Sequence, residues 1–391
     1  MTGKEIMPPL ASRARKLRPS STIQMSEQVR RAKQQGRPII GLSSGDPNLP
    51  THPAVIEAAY QAIREGKTHY SASSGRTALR ELITATNQRR SGTRYSPDEV
   101  LVTPGGKYAV YVALQTLLND GDEVLVLDPS WVSYVPCVEL AGGKAVTVTA
   151  LDALDLDALM AAVSFRTKAI IVNSPVNPTG RIIPPEELQA ILNFATSNNI
   201  WILFDEVYAD IVFRPARYLP MQSLEGARER TLVVNSLSKT YGMTGWRLGY
   251  LLGPAHVIRA AQKIAQHSIY CVPEFVQIAG EAALQLPDTV VAEYVETFER
   301  RLNVAAQRLD RLPGVRCPQP EATFYLFPQL SRDDRAVAER WLEHADVAVL
   351  PGSSFGEAGA GHVRLALTCD DDELEEALQR IERLELGAES R

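Results

Sequence analysis

Lys239 lies in the run Asn235-Ser236-Leu237-Ser238-Lys239-Thr240-Tyr241-Gly242-Met243-Thr244-Gly245-Trp246-Arg247, directly after the apolar stretch Thr231-Leu232-Val233-Val234. A lysine at the end of a buried strand, flanked by hydroxyls and followed by an arginine, has the surroundings of a Schiff-base lysine serving a phosphorylated aldehyde. Burial and neighbouring positive charge lower a lysine's pKa and keep its amine free to form an imine. Ser236, Ser238 and Arg247 are the residue types that hold a phosphate dianion. The alternative is a surface lysine in a Ser/Gly loop, the ordinary fate of a lone loop lysine. Other residues must decide between them.

Asp205 closes the apolar run Trp201-Ile202-Leu203-Phe204 and precedes Glu206-Val207-Tyr208. A carboxylate buried at that point requires a cationic or hydrogen-bonding partner, and a protonated pyridine nitrogen would meet the need. A helix cap or a structural hydrogen bond would meet it too. Asn177, in Asn173-Ser174-Pro175-Val176-Asn177-Pro178-Thr179-Gly180, offers an amide donor to a ring oxygen, although Asn-Pro and Gly also mark a plain turn. Trp131 offers a face for stacking on a heteroaromatic ring or, equally, a side chain for the core. Gly105, Gly106 and Lys107 follow a strand and open a helix, where free N–H groups and the helix dipole can receive phosphate. The spacing is not that of a Walker loop, which excludes a nucleotide hydrolase of that type. Arg364, between Val363 and Leu365, alternates with apolar neighbours and points inward, toward either a bound carboxylate or a structural ion pair.

The elements that must position these residues alternate. Val100 to Thr103, Glu123 to Leu127, Ala145 to Val148, Ala169 to Val172, Trp201 to Phe204, Leu232 to Val234 and Leu248 to Leu252 read as strands. Helical spacing separates several of them, at Tyr108 to Leu118, Leu156 to Val163 and Pro185 to Asn198. Strand followed by helix predicts parallel pairing in a sheet covered on both faces. In such sheets ligands bind beyond the carboxyl ends of the strands, where the residues above fall. After about Asp288 a long charged helix around Val295 to Leu309 is followed by short strands at Phe324 to Phe327, Val347 to Leu350 and His362 to Leu367. A helix from Asp372 to Leu384 ends this second, smaller α+β unit.

At 391 residues the chain exceeds what one core readily fills, so two domains are expected. A net charge of −5 gives no electrostatic drive toward nucleic acid or anionic lipid, and no run of apolar residues is long enough to span a membrane. Cys137, Cys271, Cys317 and Cys369 are scattered without CxxC spacing, which points away from a zinc site or disulfide framework and toward a reducing cytoplasm. The basic segment with Arg13, Arg15, Lys16 and Arg18 lacks an apolar stretch behind it and reads as an arm packed on the body.

From about Pro38 to Leu384 these segments together resemble the class I/II aminotransferases of fold type I, which depend on pyridoxal 5′-phosphate. The resemblance implies an α/β fold, with a large domain of mostly parallel sheet sandwiched by helices plus a smaller α+β domain. The expected divisions are an arm and small-domain segment at 1–45, a cofactor-binding domain at 46–290 and a C-terminal small domain at 291–391. It implies transfer of an amino group from an L-amino acid to a 2-oxo acid by a ping-pong route through pyridoxamine phosphate. By the same resemblance Lys239 would bind the cofactor and move the substrate proton, Asp205 would keep the ring nitrogen protonated, and Tyr208 and Asn177 would contact the ring's phenolic oxygen. Trp131 would stack on the ring. Gly105, Gly106, Lys107, Ser236, Ser238 and Arg247 would hold the phosphate, joined by Tyr70 reaching across a homodimer with shared sites. Arg364, Asn177 and the backbone at Gly45 would clamp the α-carboxylate.

For the donor, Lys16 to Thr22, with Arg18 where relatives usually carry Lys, is similar to the bacterial aspartate and prephenate branch and favours an acidic or aromatic amino acid. Ile269 to Phe275 is closer to relatives that use neutral or basic amino acids with pyruvate. Pro47-Asn48-Leu49 departs from the commoner Pro-Asp-Phe. Another cofactor chemistry on the same fold, β-elimination, decarboxylation or oxidation, is the alternative.

Overall fold

In the computed structural model, which describes residues 8–387, the apolar runs assemble into one seven-stranded sheet. Its strands are β1 (Val100–Thr103), β2 (Glu123–Asp128), β3 (Lys144–Thr149), β4 (Thr167–Asn173), β5 (Trp201–Asp205), β6 (Thr231–Ser236) and β7 (Gly249–Leu252), in the spatial order β1-β7-β6-β5-β4-β2-β3. Successive side chains feed opposite faces: Leu232 and Val234 of β6 join one buried cluster and Val233 another. Both faces of the inner strands are covered, which is why they read as unbroken apolar runs, whereas the edge strand β3 is largely exposed and mixes Lys and Thr with its apolar residues.

The sheet is mostly parallel, as expected, with the exception of β7, which runs antiparallel to both of its neighbours, β6 and β1. The connection from β6 to β7 holds only the single turn Leu237–Thr240, too little for the crossover that parallel strands require. The reversal has a consequence for the site. An antiparallel strand begins at the edge where its neighbours end, so Arg247, two residues before β7, arrives beside the carboxyl ends of β1 and β6.

The second unit is built around a three-stranded antiparallel sheet of Tyr325–Leu326, Val363–Ala366 and Leu350–Pro351. The helices Asp288–Leu309 and Asp371–Leu386 pack on it through residues such as Phe298, Leu302, Leu374 and Leu378. The first of these helices starts at Asp288, so the expected division at residue 290 falls inside its first turn. Ile40–Gly41 pairs in parallel with Val347–Ala348. The basic arm packs on the body only from Ser21 onward: the helix Ser21–Gln34 sets Met25, Val29 and Ala32 against Ile39, Leu342 and Ala348, whereas Ser12–Lys16 buries nothing. Among the described residues, no helix is long and apolar enough to cross a membrane and no cluster of His, Cys, Asp or Glu could hold a metal ion.

Candidate active site

The carboxyl ends of β2, β4, β5 and β6 and the start of β7 surround a cavity of about 320 Å³, closed on its far side by the second unit. Lys239 reaches it from the turn Leu237–Thr240 and donates from Nζ to the carbonyl of Gly45. Burial pulls its pKa down to about 8, helped by the cations of Arg364, Arg247 and Lys107 and opposed by Asp46. A large fraction of the amine is therefore unprotonated just above neutrality.

Asp205 ends β5 at 3% exposure. Its Oδ2 accepts from the Tyr134 hydroxyl at 2.7 Å and its Oδ1 from the Val207 N–H at 3.2 Å. Neither partner is a cation, and burial raises its pKa to about 6. Opposite lies Arg364, 2% exposed on the strand Val363–Ala366. It donates to Asn177 Oδ1 at 3.0 Å and to the Ser43 carbonyl at 2.7 Å, and stacks over Tyr325 and Phe355. Its Nε has no partner. Among the described residues no carboxylate pairs with it, which disposes of the structural ion pair. A buried guanidinium without an anion is costly, and this one faces a cavity that can supply one.

Because Asn177 Oδ1 is taken by Arg364, its amide nitrogen is left to donate elsewhere. The Tyr208 hydroxyl sits 2.9 Å from that of Tyr325. Trp131 lies edge-on to Tyr134, with Lys107 Nζ 5.1 Å over its ring. At the other end of the cavity the helix Gly106–Leu117 opens toward Ser236, Ser238 and Arg247. The Ser236 and Ser238 hydroxyls are 2.8 Å apart, and Arg247 is braced on the carbonyls of Thr244 and Pro104. Arg247 stands at φ 55°, a left-handed conformation that strains any residue with a Cβ. Gly105 serves the same corner: a Cβ there would lie 2.6 Å from the Arg247 guanidinium.

Most of the residues singled out from sequence thus meet in one cavity, and three do not: Gly105, packed behind Arg247, and the two that follow. Arg18 is exposed and outside it, whereas Thr22, four residues on, contributes to its wall. Tyr70 is 82% exposed, away from this chain's own cavity, with its ring 4.7 Å from Tyr270. The structure adds Tyr134, Tyr325, Asp46 and Thr244. Tyr134 stands one turn after Trp131 and was within reach of the same reading. Tyr325 lies in a run that reads as core, and only Gly45, where a Cβ would come 2.0 Å from its hydroxyl, reveals how closely the chain passes it.

The arrangement fits pyridoxal phosphate. An uncompensated buried acid stands at one end, an anion cradle of N–H, hydroxyl and guanidinium groups at the other, an amine of lowered pKa between them, and a second anion site at Arg364. The sequence model for aminotransferase class I and II matches residues 37–381. The aspartate aminotransferase of Geobacillus stearothermophilus is 38% identical over 388 residues, covering 96% of this chain and 98% of that protein. The aspartate aminotransferase of Thermus thermophilus, solved with maleate, superposes with a TM-score of 0.91 at 35% identity, covering 97% of this chain and 100% of that one. An aromatic aminotransferase from Pyrococcus horikoshii gives 0.87 at 34%, covering 92% and 99%.

Proposed function

The chain belongs to the class I and II aminotransferases, pyridoxal-phosphate-dependent enzymes, and we propose that it takes the amino group of an acidic L-amino acid, aspartate first, and passes it to a 2-oxo acid at a site shared across a homodimer. The observation that carries the acidic donor is the charge of the cavity wall. Lys107 lines the cavity with its Nζ over the Trp131 ring and pairs with no carboxylate among the described residues, so that while its backbone N–H serves the cofactor phosphate its ammonium is open to a second carboxylate on the substrate. The relatives named aspartate aminotransferases and the maleate-bound one support the same reading.

Bound pyridoxal phosphate supplies an aldehyde carbon and a pyridine ring that draws electrons away from the substrate Cα. The protein's own groups do the rest. Asp205 holds the proton on the ring nitrogen, and that cation compensates its buried charge. Tyr208 and the Asn177 amide orient the ring oxygen, while Trp131 covers one face. The N–H groups of Gly106 and Lys107, the hydroxyls of Ser236 and Ser238, and Arg247 bind the phosphate. Arg364 grips the α-carboxylate with Asn177 and the Gly45 backbone beside it, which fixes the Cα–H bond relative to Lys239. Lys239 Nζ, with its pKa near 8, accepts the Cα proton and delivers it on the cofactor side. Tyr70, exposed in one subunit, reaches the phosphate of the other.

The test is to mix the loaded protein with aspartate, aromatic, basic and small neutral amino acids in the absence of any 2-oxo acid. Conversion of the cofactor to its pyridoxamine form with aspartate or glutamate at the highest kcat/KM supports the proposal. Preference for an aromatic, basic or neutral donor overturns the acidic reading while leaving transamination in place.

A further inference from the structure

Glu206 follows Asp205 in sequence, and its side chain is completely buried. The mechanism above gives it no task. It is surrounded by donors: Arg90 at 3.1 Å, Asn235 at 3.1 Å, the Tyr218 hydroxyl at 2.7 Å and Gln222 at 3.2 Å. The other arm of Arg90 donates to Asp210 at 2.6 Å. Asp210 in turn accepts from the Thr240 hydroxyl at 3.0 Å, and Thr240 is the residue after Lys239. Asn235, which donates to Glu206, also accepts from the N–H of Ser236, where the Lys239 turn begins.

One guanidinium therefore grips both the acid next to Asp205 and the acid that anchors the residue next to Lys239. It comes from the last turn of the helix Thr77–Ser91, an element that contributes nothing to the cavity wall, and a cation is favourable there. Buried polar networks whose charged members are partnered, as Glu206 and Arg90 are here, hold the backbone around them in one arrangement.

Taking the roles proposed above for Asp205 and Lys239 as given, we propose that Arg90 is a positioning residue: through Glu206 on one arm, and through Asp210 and Thr240 on the other, it sets the distance and orientation between Asp205 and Lys239. It touches no reacting atom. Its effect falls on the proton transfer at Lys239, which depends on the relative placement of the two groups, and not on the binding of the α-carboxylate by Arg364.

The decisive variant is Thr240→Val, which keeps the shape and removes the hydroxyl that reaches Asp210. Asp210 keeps Arg90 on Oδ1, and only its Oδ2, on a partly exposed side chain, is left to water. We expect the melting temperature of the apo-protein and its dissociation constant for pyridoxal phosphate to stay close to wild type. The kcat for conversion of aspartate should fall at least fivefold with KM little changed, and Thr240→Ser should recover most of it. Arg90→Met strands the Glu206 charge and is expected to lower the melting temperature. The double variant Arg90→Met/Glu206→Gln removes that charge and should recover the melting temperature but not kcat. A purely structural network would give the opposite result, with kcat returning together with stability in the double variant, or remaining at the wild-type level in Thr240→Val; either outcome overturns the proposal. Should Arg90→Met fail to fold, Thr240→Val decides alone. A wild-type protein that converts no amino acid overturns the functional reading itself, a failure that the apo-protein melting and cofactor-binding measurements keep separate.

Discussion

Asp205 and Glu206 are adjacent carboxylates at nearly the same depth, and they are treated in opposite ways. Glu206 has a guanidinium and three neutral donors, while Asp205 has one tyrosine hydroxyl and one backbone N–H. The difference marks Asp205 as the group that waits for a cation. Its pKa of about 6 in the unliganded protein lies above the usual aspartate value of 3.8. Below pH 4 the group is protonated folded or unfolded, and burial costs nothing. As pH rises toward 6 the unfolded chain releases the proton first, so stability is lost, by roughly 2 to 3 kcal/mol once the folded group has ionised. The neutral amide of Asp205→Asn has no such dependence. We expect the apo-variant to melt close to apo-wild-type at pH 4, progressively above it between pH 4 and 6 and by a constant margin beyond that, and the order to reverse once pyridoxal phosphate is bound. A gap in melting temperature between the apo-proteins that does not change with pH would refute this account. Lys239 and Asp205 were legible from sequence because a charge placed at the end of a buried strand demands a partner, and Arg364 because a charge alternating with apolar neighbours inside a strand demands one too. Tyr134 and Tyr325 were not, since a tyrosine in an apolar run is equally at home in the core.

At the scale of elements, the inner strands were legible within a residue or two because both of their faces are covered and their runs are unbroken. The direction of β7 was not, since apolarity carries no direction and only the length of the β6–β7 connection decides it. The helix Thr77–Ser91 went unread for a physical reason. It buries only Leu79, Ile83 and Asn87, so its apolar period is weak even though it carries Arg90. The segment from Ser43 to Thr51 was readable only through the resemblance, at Gly45 and at Pro47-Asn48-Leu49, because it is held by contacts distant in sequence. Its Ser43 and Gly45 carbonyls meet Arg364 and Lys239, Asp46 accepts from Thr244, and Thr51 bonds to Gly242 and Trp246. Asn48 ties this strap to the second unit, accepting from Arg301 at 3.0 Å and donating to Asp370 at 2.6 Å. An amide can do both, whereas a carboxylate there would face Asp370 with like charge. For Asn48→Asp we expect KM for the amino acid to rise about two- to fivefold, the range for exposed charge pairs. The rise should be smaller at high salt and largely reversed by adding Asp370→Asn. A KM unmoved in the single variant, or unrescued in the double, would show that the strap is held without Asn48.

Over the whole molecule, a cavity walled by both units still leaves one proposed phosphate contact unused. Tyr70 is 82% exposed, and nearby in sequence Ile56, Tyr60 and Ile63 hold about half of their surface open on one face of the helix Pro53–Arg64. A monomer has little reason to expose such a set, whereas the proposed dimer with shared sites would cover it and deliver Tyr70 to the other subunit. The arithmetic of mixing tests this directly. A Lys239→Ala subunit lacks the lysine in its own site but lends an intact Tyr70, and a Tyr70→Phe subunit does the converse. In a hybrid dimer both lesions fall on one site and the other is whole. Random re-pairing makes half of the dimers hybrid, so about a quarter of all sites regain full function. Measured with cofactor limiting, where Tyr70→Phe alone is expected to be poorly loaded, the mixture should gain activity over the sum of its parts after subunit exchange, and gain none when exchange is blocked by cross-linking beforehand. Activity that stays at the sum would mean that each chain completes its own site and that the exposed tyrosine serves the interface alone.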